Sequence, residues 1–266
     1  MTALGQNEGR VGGAQSIRRG LRILRILAIG QEQGVRLTDI VREAGLSRPT
    51  AHRILRVLVE EGAVEQDASS RRYMIGQEVS LLGLARTRRF PIRSIADPFL
   101  RALAEEVGDT VFLTIRSGHD SICVERKVGP YPVKVLSIEV GARRPLGVGV
   151  GGLALLAFLP EGEARAILKA IEPRLAKHKL SVSALLERVR SARAKGYAYA
   201  DIGVVFGTRA VAVPVLNHAK EPVAAISVAA IADRLSSARL PSLVSSMQRQ
   251  AALISKRLAE VSRARR

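Results

Sequence analysis

The feature that most constrains this chain is a glycine set between two amphipathic runs in residues 37–58. Leu37, Ile40, Val41 and Ala44 recur at helical spacing and stop at Gly45, and Ser47 then offers a side-chain oxygen to cap the next helix. In that next helix Ala51, Ile54, Leu55 and Leu58 form one apolar stripe. Arg48, Pro49, Thr50, His52, Arg53 and Arg56 are left on the outward face. The pattern is helix, tight turn, helix, with the second helix presenting a basic and polar surface.

The flanking segments extend it. Upstream, Ile17, Leu21, Leu24 and Leu27 space an amphipathic first helix with Arg18, Arg19, Arg22 and Arg25 on the other face, and Gly30 ends it. Downstream of Gly62, residues 63–66 and 72–75 read as two short strands joined by the turn-rich stretch 67–71. This wing carries Arg71 and Arg72 at its tip, and Tyr73 packs. A helical segment from Gln77 to Arg89 leads to Phe90-Pro91, where the missing proline donor favours a break. The expected organisation is a flexible arm (1–14), a DNA-binding domain (15–77), a linker helix (78–90), a second domain (91–262) and a basic tail (263–266).

A helix carrying Arg, Thr and His can read base edges in a major groove while flanking arginines hold phosphates. Arg48 and Thr50 are the candidates for base contact. Arg53, Arg56 and the helix start behind Ser47 suit phosphates, and Arg71 and Arg72 suit a minor groove or the backbone.

Beyond the boundary, Ile92, Ile95, Phe99, Leu100, Leu103 and Val107 mark a helix. Residues 110–115 and 121–126 read as strands, with further strands expected at 133–138 and 145–150. Residues 151–159 form a short helix, and residues 161–194 two helices linked through Pro173. Strands 210–215 and 223–230 are joined hairpin-fashion through 217–221. Leu240, Val244, Met247, Ala251, Ile254 and Leu258 stripe a closing helix.

Composition narrows the function. The 42 Lys and Arg against 24 Asp and Glu give a net charge of +18, which attracts polyanions, and the excess is spread over both halves of the chain. With aromatic residues at 3% there is no stacking platform for single strands. The single Cys123 reads as a buried strand residue and cannot form an intramolecular disulfide, which fits a reducing compartment. The longest apolar run, 148–159, is shorter than the roughly 20 residues of a membrane span. No secretory signal pattern opens the chain, so a cytoplasmic location is expected. The four histidines form no convergent set with a nucleophile, and metal-ligand spacing is absent, so no catalytic residue, metal or cofactor is expected. An enzyme and a non-specific nucleic-acid binder are the rival readings; the latter would lose its affinity as salt rises.

Residues 15–83, with QSIRRGLRILRIL, LTDIVREAGLSRPTAHRILRVLVEEGAVE and RRYMIG, closely resemble the DNA-binding domain of the IclR family. The resemblance continues in GARRPLGVGVGGLALLAFLP (141–160) and GTRAVAVPVLNHAKEPVAAISVAA (207–230). It implies an α+β chain in which an N-terminal winged helix-turn-helix is joined by a linker helix to a GAF-like α/β effector domain with an antiparallel sheet. It also implies a transcriptional regulator, acting as a dimer or tetramer on a pseudo-palindromic operator in double-stranded DNA and answering to a small-molecule effector.

By the same resemblance, the effector pocket is edged by Leu146, Gly149, Val150, Gly151 and Gly152, and its strands contribute Asp201, Ala210, Ser227 and Ala229. Three of these depart from the family pattern, the first being Asp201, to which the acidic stretch before the strand is thinned. Ala210 stands where cysteine is frequent, and of two serines spaced by two, Ser227 is kept while the other position is Ala229. A pocket with fewer hydrogen-bonding groups favours an effector more apolar than a short keto acid, such as an aromatic or other weakly polar carboxylate.

Overall fold

The computed structural model describes residues 11–30, 33–89, 91–201 and 206–263. The chain divides into two compact units, Met1–Phe90 and Pro91–Arg266.

The first unit holds α1 (Val11–Gly30), α2 (Leu37–Ala44), α3 (Arg48–Glu60), a two-stranded sheet of β1 (Val64–Gln66) and β2 (Tyr73–Ile75), and α4 (Gln77–Arg89). Gly45 ends α2 in the left-handed region, φ 61°, and the amide of Leu46 donates to Val41 O at 3.2 Å; this closure turns the chain sharply into α3. Ile23, Leu27, Ile40, Ala44, Leu55, Val64 and Tyr73 make its core. The expected α1 stripe is corrected here. Leu27 is buried and Leu24 packs against this core as expected, whereas Ile17 (68% exposed) and Leu21 (47%) lie outside it, and Ile23 is the core residue one turn before Leu27. Residues 11–14 begin α1, while residues 1–10 of the expected arm lie outside the described residues, as do Phe90 and residues 264–266 of the expected tail.

In the second unit, six antiparallel strands run in the order β5-β4-β3-β8-β7-β6. They are β3 (Thr110–Ser117), β4 (Asp120–Lys127), β5 (Arg143–Pro145), β6 (Ala198–Ala200), β7 (Thr208–Leu216) and β8 (Pro222–Ile231). Period-two alternation sorts their side chains by size. Val211, Val213, Val215, Ile226 and Val228 face one way and form a core with α5 (Ile92–Val107) and α9 (Leu240–Arg263). Ala212 and Ala225 face the other way, under α6 (Val150–Ala157), α7 (Glu161–Leu175) and α8 (Val182–Lys195). Small residues on that second face let α6 approach the sheet closely and leave free volume beside it.

Three sequence expectations are corrected. Residues 133–138 form no strand: Val135 anchors the segment in a cluster with Phe112 and Cys123, while Val133 and Leu136 are exposed. The strand expected at 145–150 is β5, which ends at Pro145 because Gly147 (φ 95°) and Gly149 (φ 76°) turn the backbone out of the pleat. Pro173 lies inside the last turn of α7 rather than between two helices. The link to α8 runs instead through a 3-10 turn, Ala176–His178, and left-handed Lys179.

Candidate DNA interface and ligand cavity

The surface of α3 follows from its caps and its buried stripe. Ser47 has extended backbone and its Oγ accepts from the amide of Thr50 at 3.4 Å, with Pro49 in the first turn, where its missing donor costs nothing. Ala51 and Leu55 are buried, which leaves Arg48, Pro49, His52, Arg53 and Arg56 exposed. Thr50 is half-buried, its hydroxyl 2.8 Å from that of Ser47. Arg56 faces Glu60 at 3.4 Å, an exposed pair worth little.

The two wing arginines part company. Asp67 Oδ1 accepts from the Ser70 hydroxyl (2.7 Å), the Ser70 amide (2.6 Å) and the Ser69 hydroxyl (2.7 Å), led by Ser70, and these bonds hold its carboxyl down at about 2. The turn they fix sets Arg71 in the left-handed region (φ 57°) with its side chain exposed. Arg72, expected beside it at the tip, folds back instead. Its guanidinium donates to Gln33 O (3.3 Å) and Gly34 O (3.1 Å), locking the wing to the turn before α2.

In the second unit a cavity of about 330 Å³ opens on the small-residue face of the sheet. Phe112, Ala210, Ser227 and Ala229 form its sheet wall, with Val148, Gly149 and Val150 at the start of α6. Gly149 caps α6 with φ 76° and ψ 158°, a conformation that strains any residue with a Cβ. Gly151 and Gly152 line a small adjoining recess, and sterics govern both. A Cβ on Gly151 would sit 2.7 Å from Thr114 Oγ1, and one on Gly152 2.9 Å from Ser121 Oγ. Two expected pocket residues do not line the cavity: Leu146 is fully buried in the α6–α8 core, and Asp201 is exposed at the end of β6.

Sequence reasoning missed the cavity's charged residues. Arg144 and Arg188 both line it, with His178 and Leu180 from the α7–α8 connection and Ser137 and Thr208 as further hydroxyls. Among the described residues, no carboxylate belongs to the lining. Arg143 and Arg144 alternate on β5, so Arg143 pairs with Asp120 at 3.1 Å while Arg144 points the other way into the cavity. Burial lowers the pKa of both Arg144 and Arg188, and burial followed by repulsion from Arg144 lowers that of His178. The sequence did hold one signal: Arg188 sits within the helical stripe Leu185, Val189, Ala192, a charge on an apolar face.

Among the described residues, no group of three His, Cys, Asp or Glu could hold a metal, and no helix is long and apolar enough to cross a membrane.

Comparison with known proteins gives the same division. Residues 16–68 match the IclR helix-turn-helix domain, and residues 84–256 match the bacterial transcriptional regulator IclR C-terminal domain. The chain is 31% identical over 247 residues to a glycerol operon regulatory protein of Streptomyces griseus, covering 92% of this chain and 96% of that one. It is 29% identical over 250 residues to the HTH-type transcriptional regulator XynR of Escherichia coli, covering 92% and 97%. Its fold matches the crystal structure of an IclR homologue from Microbacterium hydrocarbonoxydans complexed with 4-hydroxybenzoate, with a TM-score of 0.71 and 23% identity over 92% of this chain and 99% of that one. A winged helix-turn-helix ahead of an antiparallel-sheet ligand domain, matched in both parts, places this chain in the IclR family of bacterial transcriptional regulators.

Proposed function

We propose that this regulator binds a pseudo-palindromic operator as a dimer or tetramer, with α3 in the major groove and Arg71 of the wing against the adjacent backbone or minor groove. In this reading an anionic effector with an apolar body, held in the cavity of the second unit, modulates operator binding. The observation that carries the effector reading is the cavity itself: walls of Phe112, Ile138, Val148, Leu180 and alanines, with arginine and hydroxyl groups but no carboxylate. The Microbacterium homologue, solved with a hydroxylated aromatic acid, supports this class of ligand. Leu81, Leu82 and Leu84 on α4, and Ile17 and Leu21 on α1, expose apolar surface suited to a second copy of the chain. Selection of genomic fragments by the purified protein at moderate salt tests the reading. A pseudo-palindrome is enriched if it is right, and uniform recovery of all fragments contradicts it.

A further inference from the structure

Arginine pairing in the second unit is nearly complete. Arg143 holds Asp120, Arg193 holds the carbonyls of Ala157 and Leu159, Arg209 those of Ala232 and Leu235, and Arg234 and Arg239 share Asp109. Arg116 and Arg126 pair with glutamates. Among the described residues, Arg144 and Arg188 are the half-buried arginines of this unit whose guanidinium groups have neither an ion pair nor a hydrogen bond. Both line the same cavity, from different elements, β5 and α8.

A half-desolvated guanidinium without a counter-ion is unfavourable, and the unpaired donors of both residues border an open volume with no acid in its wall. Burial, then the charge of Arg144, lowers the pKa of His178, and burial lowers that of Arg188. The same lining holds Phe112, Ile138, Val148 and Leu180, and at about 330 Å³ the volume is at the small end of ligand cavities, suited to a body the size of one ring. A monocarboxylate would neutralise one arginine and leave the other half-buried and unpaired.

We propose that the effector is a dianion, an acid with two anionic groups on an apolar, ring-sized body, one group held by Arg144 and the other by Arg188. The inference rests on the reading of this cavity as the effector site and names the ligand class within it. Guanidinium groups bind carboxylates through two parallel N–H···O bonds, so each end of such a ligand has a geometrically matched partner.

The test is calorimetric titration of the full chain with terephthalate, isophthalate and benzoate, repeated for Arg144→Gln and Arg188→Gln. At least one diacid binds wild type about tenfold or more tightly than benzoate, and either substitution brings it to within about threefold of benzoate. Thermal melting without ligand supplies an independent readout. Because each arginine is an uncompensated cation in the free protein, neither substitution lowers the melting temperature by more than a degree or so. Equal binding of benzoate and both diacids, a diacid preference that survives both substitutions, or melting points that drop by several degrees would overturn the two-anion proposal while leaving the cavity an acid-binding site. Failure of all three acids to bind contradicts the dianion and the underlying effector reading together.

Discussion

Gly151 lies so close beneath Thr114 that a Cβ placed on it would come within 2.7 Å of the threonine hydroxyl and 3.1 Å of its Cβ. Thr114 is β-branched on a central strand and cannot swing away, so α6 is seated on the sheet by the absence of a side chain. Gly151→Ala therefore lifts the first turn of α6. Overpacking costs about 1–3 kcal/mol, offset by roughly 1 kcal/mol of helix propensity. The expected outcome is a melting temperature lower by about 2–4 °C together with weakened effector binding; an unchanged melting curve contradicts the seating.

Asp109 anchors the start of β3 under two cations. Its carboxylate side chain is 2% exposed, and it accepts from Arg234 at 2.8 Å and from Arg239 at 2.7 Å, with Arg234 also stacked 3.7 Å over the ring of Tyr131. Asp109→Ala strands both guanidinium groups, a loss of about 3–5 kcal/mol by the usual cost of breaking a buried pair. Urea unfolding should show a large fall in midpoint with little change in slope, and a fall smaller than about 1 kcal/mol would refute this role for the pair.

The wing carries a pH signature. Asp67 has a folded pKa of about 2 against an ordinary value of 3.8, so the folded wing prefers the carboxylate. Its contribution is fully present above the ordinary value and is lost as pH falls from about 4 through about 2. Carbon-detected NMR titration should place the Asp67 midpoint near 2, well below the ordinary value of 3.8. A midpoint near 4 would mean that the Ser69 and Ser70 bonds are not formed in solution.

Arg53, Arg71 and Arg72 separate by mechanism. The guanidinium groups of Arg53 and Arg71 are exposed and bond to none of the described residues, so their alanine variants keep wild-type melting but weaken operator binding. Removing one arginine from a phosphate reduces the salt slope by about 0.9. Arg72→Ala breaks the bonds to Gln33 and Gly34 and acts on the stability of the first unit as well. Identical behaviour of the three variants in melting and in salt dependence would contradict the division.

Much of this was legible in the sequence because local rules and tertiary packing agree there. Gly45 and Ser47 mark the turn and cap by their own chemistry, and the alternation in 208–216 and 222–231 states which face is large and which small. Legibility failed where a long-range partner decides. Val135 looks like a strand residue until Phe112 and Cys123 take it as a single anchor, and Arg72 looks like a tip residue until Gly34 approaches. Asp201 was drawn into the pocket by resemblance although β6 leaves it exposed, and Arg144 was invisible because its direction depends on a three-residue strand ending at Pro145.

Under the proposed function, occupancy of the cavity controls operator binding. Its most direct measurement is fluorescence anisotropy of the selected operator duplex with wild type and with the Arg144→Gln/Arg188→Gln double variant, each with and without saturating aromatic diacid. The acid is expected to change wild-type operator affinity at least about fivefold, the scale of ordinary allosteric coupling, and to leave the double variant unmoved. Acid that binds the cavity without altering wild-type operator affinity, or that shifts both proteins equally, would contradict it.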